Sequence, residues 1–167
     1  MPRICRIFVS VVYKNGINME QILVRKAGVD DLPAMHALMF ELAVYEKSPE
    51  SVEADVAEYR RDFAAGLFEG LVAEKGGKVV GMALFYMAYS SWKGKMLYLD
   101  DLVVTESERR HGIGQHLFDA FLDTARARGC RLVKWQVLDW NEPAINFYKK
   151  YPNVSIDKGW LNCSINF

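Results

Sequence analysis

The segment that follows residue 104 carries residue types that can bind an anionic group. It contains Arg109 and Arg110, then Gly112 and Gly114, and it separates an apolar strand pattern from an amphipathic helix pattern. Glycine lets the backbone approach a ligand closely, and the unpaired N–H groups at the start of a helix favour negative charge. Because the two arginines add positive charge, the segment predicts a pyrophosphate-binding loop. The alternative is a tight structural turn.

Two common phosphate-binding motifs do not fit this loop. The dinucleotide-binding fingerprint needs a third glycine where the chain has Leu117, and a P-loop needs Gly-Lys followed by Ser or Thr. The ligand therefore has to be identified from the segments that accompany the loop.

Strands and helices that alternate along the chain must position this loop. Apolar residues at every fourth position, Ile113, Leu117, Phe121 and Ala125, indicate a helix directly after it, and Gly129 is typical of the end of that helix. The whole pattern predicts a mixed α/β or α+β fold. The predicted strands are 22–24, 70–74, 78–89, 95–104, 131–138 and 160–167, and the predicted helices are 32–42, 51–65, 112–128 and 141–151.

Length and composition predict one globular domain. The chain has 167 residues, of which 51% are hydrophobic and 25% charged, and domains commonly contain about 100–150 residues. Residues 1–18 carry three basic side chains and no acidic one. They form either an extension or an extra strand over 6–14 that turns at Asn15-Gly16. We therefore place the domain at residues 19–167.

The charge balance excludes several classes of partner. The chain has 21 Lys+Arg and 21 Asp+Glu, so its net charge is zero, whereas proteins that bind nucleic acids or anionic membranes show a basic excess. The longest apolar stretch, 82–89, is shorter than the ~20 residues of a membrane span. We expect neither a nucleic acid nor a membrane as partner.

Cysteine and histidine positions indicate no metal site. No Cys-x-x-Cys pair occurs, which favours the reducing cytoplasm. The histidines do not form a ligand set, and two of them flank the loop. The residues concerned are Cys5, Cys130 and Cys163, and His36, His111 and His116.

Two linked motifs resemble the GNAT superfamily of acyl-CoA-dependent N-acetyltransferases. The first is Arg-x-x-Gly-x-Gly over 109–114, and the second is Trp-Asn-Glu-Pro-Ala-Ile-Asn-Phe-Tyr over 140–148. Within that superfamily, segments 41–46, 91–95 and 97–101 are similar to the spermidine/spermine acetyltransferase family. The resemblance covers residues 21–167. It implies a GNAT fold, with a mixed, mostly antiparallel sheet, a splayed central strand pair and about four flanking helices.

The resemblance also implies a cofactor side and a catalytic acid. Acetyl-CoA would be the cosubstrate, without a metal, and its pantetheine arm would pair with the strand before the loop. Tyr148 matches the family's general acid, which protonates the departing thiolate, as a phenol held beside sulfur can do. The residues implied in cofactor binding are Leu102, Val103, Val104, Arg109, Arg110, His111, Gly112, Ile113, Gly114, Asn141 and Lys150.

On the acceptor side, the resemblance implies a groove for a cationic amine. Carboxylates would bind the ammonium and relay its proton, and Trp92 could add a cation–π wall. Asp100 and Asp101 are adjacent on a strand, so at most one of them is expected to face the groove unless the strand bulges there. The implied acceptor residues are Tyr45, Glu46, Trp92, Asp100 and Asp101, with a solvated acid as the alternative interpretation of Glu46.

The sequence departs from the polyamine-acting members in informative places. Ser90 stands where they usually carry an acid, Asp100 stands where they carry Glu, and Tyr151-Pro152 replaces the usual glycine. The residues at 90–94 and 137–141 resemble the thialysine-acetylating branch of the family more closely. One fewer acid weakens the binding of a long polycation more than that of a small diamine or amino acid.

We therefore expect an N-acetyltransferase that transfers acetyl directly from acetyl-CoA to a primary amine of a small cationic metabolite, such as a diamine, a polyamine or a lysine- or thialysine-like compound, in a ternary complex. The alternatives are a protein or peptide N-acetyltransferase and a non-catalytic acyl-CoA-binding regulatory module. We also expect a homodimer formed through the C-terminal strand, where Ile165 and Phe167 offer apolar contacts.

Overall fold

The computed structural model describes residues 9–11 and 22–166. Its contacts divide the chain into a larger unit that ends at Trp135 and a smaller unit that begins at Gln136. The strands are β1 (Val9–Val11), β2 (Ile22–Lys26), β3 (Glu69–Lys75), β4 (Lys78–Ser90), β5 (Gly94–Val104) and β6 (Leu132–Lys134), and the helices are α1 (Leu32–Tyr45), α2 (Val56–Ala64), α3 (Ile113–Ala127) and α4 (Glu142–Tyr148).

The larger unit contains one open sheet in which the described strands follow the order of the chain, from β1 to β6. All neighbouring pairs are antiparallel except β5 and β6, which are parallel. The parallel pairing covers only Met96–Tyr98 of β5. Beyond Tyr98, β5 continues to Val104 with β4 alone beside it among the described strands, so no described strand of the larger unit pairs with residues 99–104 on the other side.

Two apolar layers cover the faces of this sheet. On one face, Leu32, Met35 and Leu38 of α1 pack with Leu84 and Val103 of the sheet. On the other face, α3 presents a stripe of buried side chains, and the rings of Phe85 and Phe121 lie 5.4 Å apart. Burying such side chains stabilises the fold by about 1.5–3 kcal/mol each. The sheet is thus held between α1 and α3, as the periodicity of both helices predicts.

Local chemistry corrects the boundaries of α2. We predicted a helix over 51–65, but α2 begins only at Val56. Asp55 caps it: the Glu58 backbone N–H donates to Asp55 Oδ1 (2.8 Å), and the Asp55 N–H donates to Glu58 Oε2 (3.3 Å). This reciprocal pair satisfies two backbone donors at the helix start. The helix therefore begins where its cap is.

Near the C-terminus, the predicted strands and helix are longer than those in the structure. The strand predicted over 131–138 is only β6, and α4 ends at Tyr148 rather than at Tyr151. The strand predicted over 160–167 is wrong for the described residues, because 160–166 contain no strand. A strand needs a neighbouring backbone, and Trp160 and Leu161 are 86% and 91% exposed.

At the N-terminus, β1 pairs antiparallel with β2 and places Val9 opposite Val24. The Asn15-Gly16 turn lies outside the described residues. The domain boundary near residue 18 stays a prediction. Among the helices of the described chain, none is long and apolar enough to cross a membrane.

A part-buried ion pair ties β3 to the end of α3 in the larger unit. The Arg128 guanidinium donates to both carboxylate oxygens of Glu69, at 2.5 and 2.8 Å, and Lys26 lies 3.1 Å from the same carboxylate. Hydrogen bonding to Arg128 lowers the pKa of Glu69 to about 2, against the cost of burial. Because this folded-state pKa is below its unfolded value, the stabilisation is present above about pH 4.5 and is lost as the pH falls towards 2.

We expect Glu69→Gln to lower the free energy of unfolding at pH 7 by about 1–2 kcal/mol, which discounts the pKa shift for partial exposure. The variant should also lose stability less steeply than the wild type between pH 4.5 and 2. Urea unfolding across this pH range measures both effects. Glu53→Gln, at an exposed carboxylate, is the control and should change little; equal pH slopes for wild type and Glu69→Gln would contradict the assignment.

Candidate active site

The loop between β5 and α3 has the backbone geometry of an anion site. Arg110 and Gly112 both have positive φ angles, 66° and 77°, and Gly112 is the N-cap of α3. The His116 backbone N–H donates to the carbonyl of this N-cap residue, at 3.1 Å, which is the first i to i−4 bond of the helix. The N–H groups of residues 113–115 therefore have no intrahelical acceptor, and they favour a negative ligand.

Gly114 keeps the approach to this helix start open. A Cβ built on Gly114 would meet only Val104 Cγ2, at 3.8 Å, which is ordinary contact. The fold itself thus has room for a methyl group there. The missing side chain leaves space at the first turn of α3, where the backbone of a loop must come close to a phosphate.

The arginines of the loop differ in their surroundings. Arg109 turns back to the protein: its Nε donates to the Val104 carbonyl (2.9 Å), and its guanidinium lies 5.1 Å from the centre of the Tyr45 ring. Arg110 is exposed. Of the two, Arg110 has the cationic group that is open to a ligand, while Arg109 fixes the loop to β5 and α1.

Two further side-chain contacts hold the loop. The Thr105 hydroxyl donates to Glu41 Oε2 on α1 (2.8 Å), and Lys75 Nζ donates to both carboxylate oxygens of Glu108 (3.0 and 2.9 Å). His111 Nδ1 lies 3.3 Å from the Glu108 carbonyl. Lys75 neutralises an acid that would otherwise oppose an anion next to the loop. Sequence reasoning missed Lys75 because its partner is far away in the chain.

Leu102, Val103 and Val104 lie on the part of β5 that β6 does not cover. Val103 is buried with α1, whereas Leu102 and Val104 are half-buried. Backbone groups of an open strand edge can pair with an extended ligand as they would with another strand. The prediction of a pantetheine-pairing strand thus falls on an edge that is available within the larger unit.

A β-bulge in β5 brings two carboxylates to one face of the sheet. Leu84 is opposite Asp101 and Phe85 is opposite Leu99, so Asp100 is the extra residue. A bulge of this kind breaks the alternation of side chains. Counting from Leu99, which is opposite Phe85 on the α3 face, and from Val103, which packs with α1, both aspartates face α1. The expectation that adjacent aspartates point apart does not apply here, because the strand bulges.

Glu46 joins these aspartates to form an acidic cluster (Glu46, Asp100 and Asp101). Burial, together with the neighbouring charges of Asp100 and Glu46, raises the pKa of Asp101 to about 7. Partial loss of solvent also raises the pKa of Asp100 and that of Glu46. Asp100 nevertheless remains exposed on its solvent side. Like charges in a partly desolvated place favour a cation as ligand.

Three tyrosines surround the acidic cluster, and sequence reasoning missed all of them. Tyr86 and Tyr98 are opposite each other on β4 and β5 and stack with a centroid distance of 5.3 Å. Burial and the charge of Asp100 raise the pKa of Tyr86, and burial, Tyr86 and Asp100 raise that of Tyr98. Burial, Asp101 and Asp100 raise the pKa of Tyr59 to about 12. Tyr98 could have been found two residues before Asp100, but nothing in the sequence connects Tyr59 to β5.

Trp92 is not brought to the acidic cluster. It lies in the turn between β4 and β5 and is 90% exposed. The strand from Gly94 to Asp100 spans about 20 Å at ~3.3 Å per residue. The cation–π wall predicted for Trp92 stays a prediction, and in the larger unit the aromatic rings near the acids are those of tyrosines.

In the smaller unit, Asn141 is the N-cap of α4, and its side chain accepts a hydrogen bond from the Ala144 N–H (3.2 Å). Tyr148, at the last position of α4, is 7% exposed, and burial raises its pKa to about 12. Its ring meets that of Phe147 edge to face at 5.1 Å. Lys150 is exposed. A phenol with this pKa is protonated at neutral pH and can donate its proton.

Two of the histidines have different surroundings. His36 Nε2 is 2.9 Å from the Ala54 carbonyl, and the buried His116 Nε2 has no hydrogen-bond partner among the described residues. Across 22–166, no group of three or more His, Cys, Asp or Glu side chains is arranged to hold a metal ion.

Comparison with known proteins identifies the class of enzyme that this fold and these motifs define. Residues 32–151 match the model of the Acetyltransferase (GNAT) family. The chain therefore belongs to the GNAT family of acetyltransferases, which confirms the resemblance stated from its motifs. The family uses acetyl-CoA.

Individual relatives agree with this assignment. The chain is 35% identical over 134 residues to a thialysine N-epsilon-acetyltransferase of Caenorhabditis elegans, covering 79% of this chain and 84% of the relative. It also superimposes on an aminoglycoside acetyltransferase from an uncultured soil metagenomic sample, in complex with trehalose, with a TM-score of 0.75, 20% identity and coverage of 87% and 97%. An aminoglycoside N-acetyltransferase in complex with CoA matches with a TM-score of 0.70 and 14% identity, over 88% of this chain and 97% of that one. These structures confirm the predicted fold class.

We expect Asp101→Asn to stabilise the unliganded protein at pH 8 by about 1–2 kcal/mol. The folded chain holds a proton on Asp101 up to about pH 7, whereas an unfolded aspartate loses it near pH 3.9, so this group costs stability as the pH rises through that interval. Thermal or urea unfolding between pH 4 and 8 measures the difference. Asp123→Asn, at an exposed aspartate of α3, is the matched control, and a gain of stability for Asp101→Asn that does not grow with pH would contradict the assignment.

Proposed function

We propose that this protein transfers acetyl from acetyl-CoA directly to a primary amine of a small cationic metabolite, within a ternary complex. The observation that carries this proposal is the acidic cluster, which the β5 bulge turns towards α1. An anion site at the start of α3 follows the same strand. The ring of Tyr45, the residue before Glu46, lies 5.1 Å from the Arg109 guanidinium of that loop. The end of α1 therefore borders both the acidic cluster, which attracts cations, and the loop, which attracts anions.

The acidic cluster supports both binding and deprotonation of the amine. A lysine-like amine has a pKa of about 10.4, so it arrives as an ammonium ion and must lose a proton before it can attack. Asp100 and Glu46 would hold the ammonium by charge. Asp101, with its pKa of about 7, would accept the proton directly or through a water molecule, because a base whose pKa is near the working pH is the most effective.

The loop and the open edge of β5 would hold the cosubstrate. The N–H groups at the start of α3 and the exposed Arg110 would bind the pyrophosphate, with Asn141 and Lys150 as further ligands implied by the family motif. Leu102–Val104 would pair with the pantetheine arm. Acetyl-CoA supplies the thioester carbonyl that the neutral amine attacks: the new C–N bond forms there, and the C–S bond breaks. Tyr148, which its pKa of about 12 keeps protonated at neutral pH, would give its proton to the departing sulfur. The nitrogen of the new amide would lose its extra proton to solvent, and solvent would return a proton to the Tyr148 oxygen.

A short acceptor suits this site better than a long polyamine. Ser90 stands where polyamine-acting members usually carry an acid, and the described acids lie together rather than along a track. Tyr86 and Tyr98 offer a stacked aromatic surface for the methylene groups of a short chain. The relative with 35% identity carries the name of a thialysine acetyltransferase. We therefore place lysine-like amino acids and short diamines ahead of spermidine and spermine.

We further propose a cytoplasmic homodimer. The scattered cysteines favour a reducing compartment. Trp160, Leu161 and Ile165 are more than 80% exposed, and such side chains are typical of contacts that a second copy would cover.

An amine panel tests the proposed function. The purified protein is mixed with acetyl-CoA and thialysine, lysine, short diamines, spermine or lysine-containing peptides, and thiol release is measured against a blank without amine. We expect the highest kcat/KM with the thialysine- and lysine-like amines and the short diamines. Preferential acetylation of peptides would favour a protein acetyltransferase. CoA binding without thiol release on any amine would favour a regulatory module.

Substitution of the proposed acid gives a second prediction. Tyr148→Phe should lower kcat about 100-fold, the lower end of the effect of a general acid, and change both KM values little. Tyr151→Phe is the matched control, because the Tyr151 ring contacts the same neighbour, Phe147, at 5.6 Å. Full turnover by Tyr148→Phe would refute this role.

A further inference from the structure

Tyr45 is the last residue of α1, and family resemblance assigns it to the amine. Its ring, however, faces the Arg109 guanidinium, 5.1 Å away. We propose that Tyr45 is a positioning residue for the CoA-binding loop, acting through Arg109, and that Glu46 alone of this pair serves the amine. This inference rests on the proposed function and assigns the end of α1 to both substrates.

Arg109 is held on two sides, which makes its contact with Tyr45 more than a chance approach. Its Nε donates to the carbonyl of Val104, the last residue of β5, at 2.9 Å. The planar guanidinium thus spans from the end of the strand to the ring of α1. Arginine stacks on aromatic faces and uses its side-chain N–H groups at the same time. The start of the loop is thereby fixed relative to β5 and α1.

One turn earlier on α1, Glu41 makes the second contact with the loop. Its Oε2 accepts a hydrogen bond from the Thr105 hydroxyl at 2.8 Å. Glu41 and Tyr45 are four residues apart and share one helix face. Thr105 and Arg109 are also four residues apart and flank the short 3-10 turn of Glu106–Glu108. We call the two contacts, Glu41–Thr105 and Tyr45–Arg109, the α1 clasp.

The α1 clasp supports a loop that would be costly to order. Arg110, directly after Arg109, has a φ of 66°, which is an uncommon conformation for a residue other than glycine. A loop that is already ordered does not pay that cost when a ligand binds. Loss of the clasp should therefore weaken the binding of CoA, while the acids that meet the amine stay where they are.

Glu46 follows Tyr45 but has different surroundings. Successive side chains of a helix point about 100° apart, and the charge of Glu46 acts on Asp101. The last residue of α1 and its C-cap residue thus face different groups: Tyr45 contacts the cationic loop, and Glu46 acts on the acidic cluster. A pair of substitutions can separate the two roles.

The experiment compares Tyr45→Leu, Tyr45→Phe and Glu46→Gln. Calorimetry gives the Kd for CoA without amine, and steady-state kinetics gives KM for acetyl-CoA and for the best amine of the panel. We expect Tyr45→Leu to raise the Kd for CoA and KM for acetyl-CoA five- to tenfold, with KM for the amine within twofold. Tyr45→Phe should recover the affinity, because it retains the aromatic face. Glu46→Gln should show the reverse pattern, with a raised KM for the amine only.

A selective rise in KM for the amine in Tyr45→Leu, or an equal loss of CoA affinity in Tyr45→Phe and Tyr45→Leu, would overturn the inference. If Tyr45→Leu does not fold, Glu41→Gln replaces it, with an expected two- to fivefold rise in the Kd for CoA; an unchanged Kd would overturn the clasp. A wild type that binds no CoA refutes the proposed function itself. A wild type that acetylates the amine, with unchanged CoA affinity in Tyr45→Leu, refutes only this inference.

Discussion

One extra residue in β5 decides what the two sides of this sheet can do. An uninterrupted strand would alternate strictly, so Asp100 and Asp101 would lie on opposite faces, one of them against the apolar side chains of α3. With Asp100 as the bulged residue, Leu99 stays on the α3 face and Val103 stays on the α1 face. Both apolar layers are kept, and both carboxylates reach the side of α1. The acidic cluster depends on this local break in the strand.

Placing three carboxylates together costs free energy, and the raised pKa of Asp101 shows this cost. Burial, aided by Asp100 and Glu46, raises the pKa of Asp101 to about 7. The unliganded protein therefore holds a cluster that is more stable with a proton or a cation present. In the proposed reaction an incoming ammonium ion would supply that charge, and Asp101 would be an acceptor of suitable pKa for its proton. A feature that destabilises the fold at neutral pH is thus also what would make an amine site work.

Charge is separated over a short distance along β5 and α1. The loop after Val104 presents N–H groups and Arg110, while the acids lie earlier on the same strand and at the end of α1. Lys75 neutralises Glu108 beside the loop. The negative charge of Glu108 therefore does not weaken the positive potential of the loop. The zero net charge of the chain therefore includes opposed local sites and is not a sign of an uncharged surface.

Residue types and their spacing were enough to predict the strongly periodic helices and strands, the loop after β5, the family and the candidate chemistry. Local signals sufficed for these. Apolar residues at every fourth position predict α3, and the Arg-x-x-Gly-x-Gly motif before it indicates an anion site. Local signals failed where neighbours in space decide. The strand expected over 160–167 has no partner strand among the described residues, and α2 begins later because its cap is Asp55.

Which side chains meet depends on contacts between elements that are distant in the chain. The bulge is a matter of register between β4 and β5, and no spacing within β5 reveals it. Tyr59, Tyr86 and Tyr98 come near the acids through the packing of α2 and the pairing of two strands. Arg109, expected at a phosphate, instead faces Tyr45 from another element. Residue types and spacing specify possible chemistry, whereas partners distant in the chain are fixed by packing and strand register.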